Sequence, residues 1–447
     1  MNEPLSLPNG WVETTFGAVV TPVSVNDKKL PRGEYLESGR YPVVDQGRQF
    51  IGGYSDDETR VVSEDLPLLI FGDHTRAFKY LDQPFVPGAD GVKVLKPLGV
   101  NAKWLYQIAH VLDFPDKGYA RHYQHLRSAR LLVPPLPEQR RIVAEIEKQF
   151  TRLDKGVTAL RRVQANLKRY RAAVLKAACE GRLVPTEAEL SKTGRMKVDF
   201  DTGETLLSSI LTERRKGWQS RGQYKEPATP DTTVLSQLPD GWMWARLEQL
   251  GTTTGGLTKN PKRAKLTKKM PYLRVANVYA NELRLQEIEH IGVEDSELEK
   301  LLVCAGDLLI VEGNGSKDQI GRLAVWDGSI DPCVHQNHLI KVRPTEPRMS
   351  KWILHWLQSP NGRNFVEMVA SSTSGLYTLS VNKVGDLPIA LPPLAEQSRI
   401  VAEVERCLSV VEELEAMVSA SLQRAARLRQ SILQQAFTAK LTRTDKP

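Results

Sequence analysis

Cysteine, long apolar runs and targeting signals are scarce or absent in this chain of 447 residues. Its four cysteines, Cys179, Cys304, Cys333 and Cys407, lie far apart and form no C-x-x-C pair. A disulfide scaffold and a zinc ribbon are therefore not expected, and a reducing cytoplasm is the expected location. No run approaches the roughly 20 apolar residues that cross a bilayer, and the N-terminus has no signal segment, so no membrane partner is expected.

Sequence motifs of catalysis are missing as well. The chain contains no G-x-x-x-x-G-K-[ST] phosphate loop, no G-x-G-x-x-G, no Asn-Pro-Pro-aromatic segment and no Glu-x-Lys. The pairs His122/His125 and His335/His338 have no clustered cysteines or H-E-x-x-H motif beside them. We interpret these histidines as surface or polar-contact residues rather than metal ligands. No catalytic residue and no metal site is therefore expected in this chain.

What the chain does contain is an internal repeat. Pro134–Glu147 reads PPLPEQRRIVAEIE and Pro392–Glu405 reads PPLAEQSRIVAEVE, with eleven of fourteen positions identical and an offset of 258 residues. The same offset aligns Arg169–Leu183 with Arg427–Leu441. Upstream, LPNGW at residues 7–11 matches LPDGW at residues 238–242 with an offset of 231, so the second intervening region is 27 residues longer. The chain is therefore two copies of a variable domain followed by a segment of fixed length.

The segment of fixed length is predicted to be a long helix. Prolines precede it, and an acidic first turn begins at Glu138. Apolar residues recur at heptad spacing in both copies, and Arg171 and Arg429 interrupt the pattern at corresponding positions. Such a helix spans on the order of 65 Å, too long for the core of one small domain. We predict that the two helices pair antiparallel as a spacer; two separate amphipathic helices, each packed on its own domain, are the alternative.

The two variable domains are predicted to be α/β, because short β-branched runs alternate with turns and precede helical periodicity. A polar linker with one short helix around Thr205–Trp218 joins the first helix to the second domain. The predicted fold class is α/β plus coiled coil, with two α/β domains separated by two long antiparallel helices and related by a pseudo-twofold repeat. Strands are predicted near Tyr41–Val44, Pro67–Phe71, Gly91–Leu95, Tyr272–Ala276, Asp307–Val311, Leu323–Trp326 and Leu339–Val342, and helices near Ala102–Val111 and Lys351–Val369.

Positive charge is in slight excess and is locally concentrated. The chain has 61 Lys and Arg against 53 Asp and Glu, a net charge of +8. Lys259–Lys269 (KNPKRAKLTKK) holds six cations and no acid, and Glu138–Arg182 holds twelve cations and five acids. The first segment is interpreted as a loop along phosphates or as a solvated loop, and the second as a helix that flanks DNA or faces a partner protein.

Several glycine-containing turns carry side chains that can read base edges, with Arg suited to guanine and Asn or Gln to adenine. Each turn alone is also what a polar surface loop looks like, but the turns recur in both variable domains. They are Gln46–Gly53, Gly72–Lys79, Tyr119–Arg127, Gly313–Gln319, His335–His338 and Ser372–Ser380.

Taken together, the sequence resembles the specificity subunit of type I restriction–modification systems. The resemblance is carried by the two P-P-L-x-E-Q helix starts, the tails RAAVLKAACEGRL and RQSILQQAFTAKL, the two LP-[ND]-GW segments and the linker ILTERRKGW…YKEP. PYLRVANV, GDLLI and TSGLYTLS of the second domain also fit the family, as do QGRQFIGGY and LLIFGDHTRAF of the first. YARHYQHL departs from the pattern, since it stands where the second domain has SGLYTLSV.

The resemblance implies that each variable domain is a target recognition domain for one half of a bipartite site in double-stranded DNA. It implies domains at residues 1–135 and 238–393, spacer helices at 136–182 and 394–447, and a linker at 183–237. The helices would set the spacer and dock two methyltransferase subunits that bind S-adenosylmethionine. Restriction or translocase subunits that use ATP and Mg would join them, and this chain would hold no cofactor and no active site.

The candidate DNA contacts come from the turns and the basic loop. Phosphate contact is as much expected as base contact for Lys79 and Lys317, and a structural role is the alternative for Arg274 and Asn277. The candidates are Arg48, His74, Arg76, Lys79, Arg121 and His122 in the first domain, and Lys262, Arg263, Lys265, Arg274, Asn277, Asn314, Ser316, Lys317, Gln336, Asn337 and Tyr377 in the second.

Two other classes of function are weighed against this one. A self-contained nuclease or fused methyltransferase would need a catalytic domain for which the assigned segments leave no room. A structural coiled-coil adaptor would bind DNA without reading bases, and its binding would persist on scrambled sequence and weaken with salt.

Overall fold

The computed structural model describes residues 9–89, 91–116, 118, 120–193, 201–218, 223–373 and 375–437. The chain divides into two compact units, Met1–Val163 with Met417–Pro447, and Gln164–Ala416. In the part of the chain that is described, no helix is long and apolar enough to cross a membrane. Residues 7 and 8 of the first LP-[ND]-GW segment, Tyr119, Ser374 and the tail from Thr438 onward lie outside the described residues.

The first α/β domain belongs to the first unit and contains three small sheets. A four-stranded sheet has the order Val20–Val23, Val92–Pro97, Leu68–Gly72 and Phe78–Leu81, and a three-stranded sheet has the order Gly53–Ser55, Tyr41–Val44 and Val86–Pro87. Val12–Thr15 pairs with Arg130–Val133, which joins the beginning of the domain to its end. The helices are Ala102–Ala109 and Tyr123–Arg127.

The second α/β domain belongs to the second unit and repeats these sheets. The four-stranded sheet has the order Gly251–Gly255, Leu339–Pro344, Leu308–Val311 and Leu323–Val325, the three-stranded sheet has the order Glu289–Gly292, Lys269–Leu273 and Val334–His335, and Met243–Arg246 pairs with Pro388–Leu391. Additional short strands are Val278–Tyr279, Glu282–Leu283, Gly313–Asn314, Ser371–Thr373 and Leu376–Thr378. Its helices are Leu247–Leu250, Pro261–Ala264, Asp295–Leu301, Ser350–Gln358, Pro360–Val369 and Val381–Gly385, and the linker before it holds Glu187–Lys192 and Gly203–Lys216.

Backbone hydrogen bonds establish that the two domains share one fold despite their different sequences. Gly88 N donates to Val44 O at 2.9 Å, and Gln336 N donates to Leu273 O at 2.9 Å, in each case where two parallel strands end. The neighbouring bonds also correspond, since Leu30 N donates to Pro87 O and Leu257 N donates to His335 O. Gly88 and Gln336 are therefore equivalent positions, as are Val44 and Leu273.

The repeated motifs form the same joint in each unit. Trp11 Nε1 donates to Glu138 at 3.1 Å, and Trp242 Nε1 donates to Glu396 at 2.8 Å. The buried side chains of Gln139 and Gln397 donate to the carbonyls of Pro134 and Pro392 at 2.8 and 2.9 Å. The LP-[ND]-GW and P-P-L-x-E-Q segments thus recur together because the tryptophan of one motif binds the glutamate of the other.

The long helices are Leu136–Cys179 and Leu394–Phe437, each of 44 residues. The first begins two residues before the predicted acidic turn, with Pro137 in its first turn, where a missing N–H is tolerated. It ends at Cys179, and Gly181, with a φ of +64° and an N–H bond to Ala178 O, forms a left-handed C-terminal cap just beyond it. One apolar row predicted at heptad spacing contains Ile146, Leu153, Leu160, Leu167 and Val174. Of these residues, Ile146, Leu167 and Val174 are buried and Leu153 and Leu160 are half-buried.

Contacts inside each unit establish the antiparallel pairing. In the first unit the start of the first helix packs on the end of the second, with Ile142 and Ile146 in one core with Ile432 and Phe437. In the second unit Val174 shares a core with Val404 near the start of the second helix.

The two arginines that interrupt the heptads form ion pairs across the helices. Arg429 lies 2.7 Å from Asp154, and Arg171 lies 3.7 Å from Glu412 and 3.4 Å from Glu415. Asp154 and Glu412 are 258 positions apart, as are Arg171 and Arg429, so the ion pairs follow the sequence repeat. The predicted fold class, including the antiparallel helices and the internal repeat, is confirmed.

Several predicted elements have different limits. The segment Lys351–Val369 forms two helices, because Ser359 accepts a bond from Gly362 N as a new cap and Pro360 starts the second helix. The strand predicted at Tyr272–Ala276 is Lys269–Leu273 and ends in a turn, Val275–Asn277. Lys259–Lys269 is not a simple loop, since Pro261–Ala264 is a helical turn.

We predict that the second unit loses stability in mild acid, because it contains two buried histidines. Burial lowers the pKa of His335 and of His355 from 6.5 to about 4. Unfolding restores the ordinary pKa, so the unfolded chain binds protons that the folded chain does not, and stability falls as pH drops from 6.5 to 4. Each ring contributes about 3 kcal/mol over that window, at 1.36 kcal/mol per pH unit.

The substitution His355→Leu should remove about half of this dependence. His355 suits the test because neither of its buried ring nitrogens has a hydrogen-bond partner among the described residues. The measurement is the thermal midpoint at pH 7 and pH 4.5 for wild type, His355→Leu and a control at the exposed His290. If His355→Leu and wild type lost stability equally, the neutral buried ring would not be the cause.

Candidate nucleic-acid interface

In the second domain, three loops meet where the parallel strands Lys269–Leu273 and Val334–His335 end. Gln336 N bonds Leu273 O, Leu257 N bonds His335 O, and Asn337 N bonds Leu257 O, at 2.8 to 3.0 Å. A Cβ at Gly256 would lie 2.2 Å from His335 O and 2.4 Å from Gln336 O, so this approach requires glycine. The backbone therefore fixes the Gln336–Asn337 turn against the turn that follows Leu273.

The strand Gly313–Asn314 joins the same edge. Glu312 N donates to His338 O at 3.0 Å, and the Glu312 carboxylate lies 3.1 Å from His338 Nδ1. Asn314 is paired with Tyr377 of the neighbouring strand. The predicted residues Asn314, Gln336, Asn337 and Tyr377 are thus brought onto one edge, and each is half-buried. The Gln336 Oε1 accepts a bond from Val275 N at 3.3 Å.

Arg274 and Asn277 lie at this edge but are engaged by the protein. Asn277 is buried, accepts a bond from Arg274 N at 2.8 Å and donates to the carbonyls of Arg284 and Glu287 at 2.8 and 3.1 Å. It therefore shapes the turn. The Arg274 guanidinium lies 2.8 Å from Glu289 and is half-buried, so that a DNA contact would have to compete with this ion pair.

Ser316 and Lys317 lie on an exposed turn beyond Asn314. Asn314 Oδ1 accepts a bond from Ser316 N at 2.9 Å, and Lys317 Nζ lies 3.2 Å from Glu367. An exposed ion pair of this kind contributes at most about 1 kcal/mol, so the lysine can exchange its partner for a phosphate.

The basic segment Lys259–Lys269 carries less free charge than its sequence indicates. Lys259 pairs with Glu289, Arg263 binds both oxygens of Glu297 at 2.6 and 2.9 Å, and Lys268 pairs with Asp295. The Arg263 bond is the largest cause that lowers the pKa of Glu297. Among the described residues of this segment, Lys262, Lys265 and Lys269 are exposed and form no ion pair. The Lys269 ammonium donates to the carbonyls of Arg263 and Ala264, so Lys262 and Lys265 are the more available to phosphates.

In the first domain, Gln46 organises the equivalent edge. Its side-chain Oε1 accepts a bond from His74 N at 3.3 Å, and its carbonyl accepts one from the Thr75 hydroxyl. A Cβ at Gly72 would lie 2.7 Å from Gln46 O, and one at Gly91 would lie 2.3 Å from Gln46 Oε1. These glycines let the ends of two strands close around one glutamine, and His74 lies beside it.

Lys79 is buried beneath the loop that begins at Asp45 and does not lie on the surface of this edge. Its side chain is 3% exposed, and its ammonium donates to Asp45 O at 2.8 Å and lies 3.6 Å from the Asp45 carboxylate. Burial lowers the pKa of Lys79, and Asp45 opposes that effect. As placed, Lys79 holds Asp45 and the loop after it, and we expect it to act on DNA only through that loop.

Arg76 and His122 are also built into the domain. The Arg76 guanidinium lies 2.9 Å from Asp116 and stacks 4.4 Å from the Phe114 ring. His122 is fully buried, and its Nδ1 lies 3.0 Å from Asp73 O. Arg121, by contrast, is exposed beside it.

Arg48 is the candidate most clearly presented to solvent. It lies in the loop Asp45–Gly52, which forms one wall of an open cleft of about 640 Å³. Tyr35, Gln46, Gln49 and Thr75 also line the cleft. The cleft thus combines two exposed arginines, Arg32 and Arg48, with amide and hydroxyl groups, the functional groups that read base edges.

Equivalent positions on the two edges carry opposite charges. Asp45 follows Val44 in the first domain as Arg274 follows Leu273 in the second. Each is held by a partner of the other sign, Lys79 for Asp45 and Glu289 for Arg274. One backbone framework therefore presents two different patterns of hydrogen-bonding groups.

Sequence reasoning missed several residues that shape these edges. Asp45, Gln46 and Asp73 in the first domain, and Leu257 and Glu312 in the second, make the bonds that close the loops. The only signal for Gln46 was its place in the glycine-flanked segment QGRQFIGG. Within the described residues, no three His, Cys, Asp or Glu side chains gather as metal ligands.

Comparisons with known proteins find similarity to the specificity subunits of type I restriction enzymes. The type I restriction enzyme EcoKI specificity subunit of Escherichia coli K12 is 27% identical over 317 residues, which cover 69% of this chain and 57% of that subunit. The EcoDI specificity subunit of Escherichia coli is 21% identical over 447 residues, covering 98% of this chain and 90% of that one. No family model matches the sequence.

A solved chain from a study of complex assembly and conformational transition of the type I R-M system has the same fold. Its TM-score is 0.62 at 18% identity, and the match covers 98% of this chain and 100% of that one. The resemblance to type I specificity subunits is therefore confirmed. The chain spans only 57% of the length of the EcoKI subunit.

Proposed function

We propose that this chain is the DNA sequence-specificity subunit of a type I restriction–modification complex. Residues 1–135 and 238–393 are the two target recognition domains, residues 136–182 and 394–447 the spacer helices, and residues 183–237 the linker between the halves. Each recognition domain reads one half of a bipartite site in double-stranded DNA. The observation that carries the proposal is the pair of equivalent edges, alike in backbone and different in side chains.

The base-reading residues of the proposal are drawn from the exposed and half-buried candidates at the two edges. In the first domain these are Arg48, Arg121 and His74, and in the second Asn314, Gln336, Asn337 and Tyr377. The proposal assigns phosphate contacts, which position a protein without specifying sequence, to four exposed residues: Lys262, Lys265, Ser316 and Lys317. The remaining candidates hold the loops that carry the proposed DNA contacts: Arg76, Lys79, His122, Arg263, Arg274 and Asn277.

The paired helices serve as a ruler and a platform in this proposal. Two 44-residue helices, joined by ion pairs that repeat at the same offset, set the number of base pairs between the half-sites. They dock two methyltransferase subunits, which supply S-adenosylmethionine and methylate adenine, and restriction subunits that use ATP and Mg join the complex. This chain contributes recognition and no catalysis, and it acts in the cytoplasm. A structural adaptor without base readout is not favoured, because it gives no reason for the opposite charges at Asp45 and Arg274.

An adenine-methylation map tests the proposal. The chain is co-expressed with its cognate modification subunit in a methylation-free host, and the DNA is sequenced by a modification-sensitive method. We expect one bipartite motif, methylated on both strands and absent when this chain is omitted. Methylation that did not depend on this chain, or a stable complex that methylated no motif, would count against it.

A further inference from the structure

The loop Asp45–Gly52 of the first domain has a rigid base. Gly52 N donates to Val43 O at 2.8 Å, Gly47 N donates to Asp45 Oδ1 at 2.8 Å, and the buried Lys79 ammonium holds Asp45 O. A Cβ on Gly47 or on Gly52 would lie within 3 Å of the Asp45 carboxylate, so both glycines are required for the loop to close. The two ends of the loop are therefore held by hydrogen bonds, and residues 48–51 lie between them.

The tip of this loop carries two exposed apolar side chains. Phe50 is 52% exposed and Ile51 is 38% exposed, next to the exposed Arg48 and Gln49. Full burial of such side chains is worth about 1.5–3 kcal/mol each, so a folded domain gains nothing by holding both in water. Two adjacent apolar side chains beside a cation on one loop fit a ligand that offers apolar faces and negative charge together. Stacked base pairs with their phosphates have that chemistry.

We propose that Phe50, with Ile51 beside it, is an apolar wedge that enters a base step of the half-site read by the first domain. The inference rests on the proposed function, since it takes DNA as the ligand of this edge. Phe and Ile side chains inserted between base pairs unstack the step and kink the duplex. Phe50 would then select its half-site partly by how easily a base step opens.

The second domain has no such wedge available at the equivalent place. After its strand Lys269–Leu273 the aromatic residue is Tyr279, and its ring is covered by two guanidinium groups, Arg284 at 3.7 Å and Arg322 at 4.6 Å. The loop that follows this strand therefore supplies no aromatic wedge to the second half-site.

The experiment uses the full complex of this chain with its modification subunits on duplexes that carry the mapped site. 2-Aminopurine is placed at single positions in each half-site, away from the methylated adenine, because its fluorescence rises when a base loses its stacking partner. We expect an increase at one step of the first half-site and none in the second. Phe50→Ala should abolish the increase and weaken specific binding about tenfold, as expected for loss of one stacked aromatic.

Leu98→Ala is the matched control for Phe50→Ala. Leu98 lies in the same domain and is 59% exposed. It follows the C-terminal end of the strand Val92–Pro97, whereas Gly91, which lies against Gln46, precedes the N-terminal end of that strand. Leu98→Ala should leave affinity and fluorescence unchanged. Arg48→Ala should relax the sequence preference at one base pair of the first half-site, whereas Phe50→Ala should remove the fluorescence increase.

Three results would overturn the wedge. Equal effects of Phe50→Ala and Leu98→Ala would do so, as would an unchanged 2-aminopurine signal in Phe50→Ala, or an equal signal in both half-sites. In each case, sequence-specific binding by the wild-type complex would still stand, so the proposed function would survive. Wild-type binding that did not distinguish the mapped site from scrambled DNA would overturn both proposals.

Discussion

Removing one heptad from each long helix will shorten the spacer of the methylated site by about three base pairs and leave both half-sites unchanged. The change deletes Val157–Val163 and Ala420–Ala426, which lie opposite one another in the register set by the Asp154–Arg429 pair. Seven residues shorten a helix by about 10 Å, and base pairs are about 3.4 Å apart along DNA. Both deletions together keep the Asp154–Arg429 and Arg171–Glu412 pairs in place.

The control removes the same heptad from the first helix alone. That variant shifts one helix against the other by about two turns, separates the ion-paired residues and mismatches the apolar rows, so we expect a large loss of stability. The readout for the double deletion is the methylation map. An unchanged spacer in a stable double-deletion variant would mean that the helices are not the ruler.

Glu396→Ala will destabilise the second unit by about 2–4 kcal/mol, and its repeat partner Glu138→Ala will cost the first unit about 1 kcal/mol or less. The Glu396 carboxylate is fully buried and accepts one bond from Trp242 Nε1 at 2.8 Å and another from Glu187 N at 2.9 Å. Burial raises its pKa. Alanine would leave two buried donors without a partner. Glu138 is half-buried, so water can replace its carboxylate at Trp11.

Differential scanning calorimetry of the two variants checks this prediction, because the two units can unfold in separate transitions. The transition of the second unit should move to lower temperature in Glu396→Ala and stay in place in Glu138→Ala. Equal shifts of the melting temperature in the two variants would contradict this prediction, because they would show that burial of the Glu396 carboxylate adds no stability.

The repeat predicted the architecture because its physical causes are local. A fixed offset of 258, a seven-residue apolar spacing and proline before the helix start are all visible in sequence. The arginines that interrupt the heptads were visible at equivalent positions, and the structure pairs Arg171 and Arg429 with acids that are related by the same offset. Strand order could not be predicted, because it depends on hydrogen bonds between segments far apart in the chain, such as Val12–Thr15 with Arg130–Val133.

The candidate site was predicted at the level of loops and less well at the level of side chains. The polar turns do meet at one edge of each domain, but Lys79, His122 and Asn277 point into the protein. Each of these residues satisfies backbone carbonyls or amides that the closing loops leave unpaired, and composition alone cannot separate that role from contact with DNA. Phe50 was not among the predicted contacts, because an apolar residue in a sequence is ordinarily assigned to the core.

The most direct test of the whole account is the methylation map of a chimeric chain. Residues 12–133, the described elements of the first domain, are replaced by the corresponding domain of another specificity subunit with a known target. We predict that one half of the methylated motif changes to the donor's half-site, while the other half and the spacer stay the same. A motif that changed in both halves, or in neither, would contradict the claim that each domain reads its own half of the site.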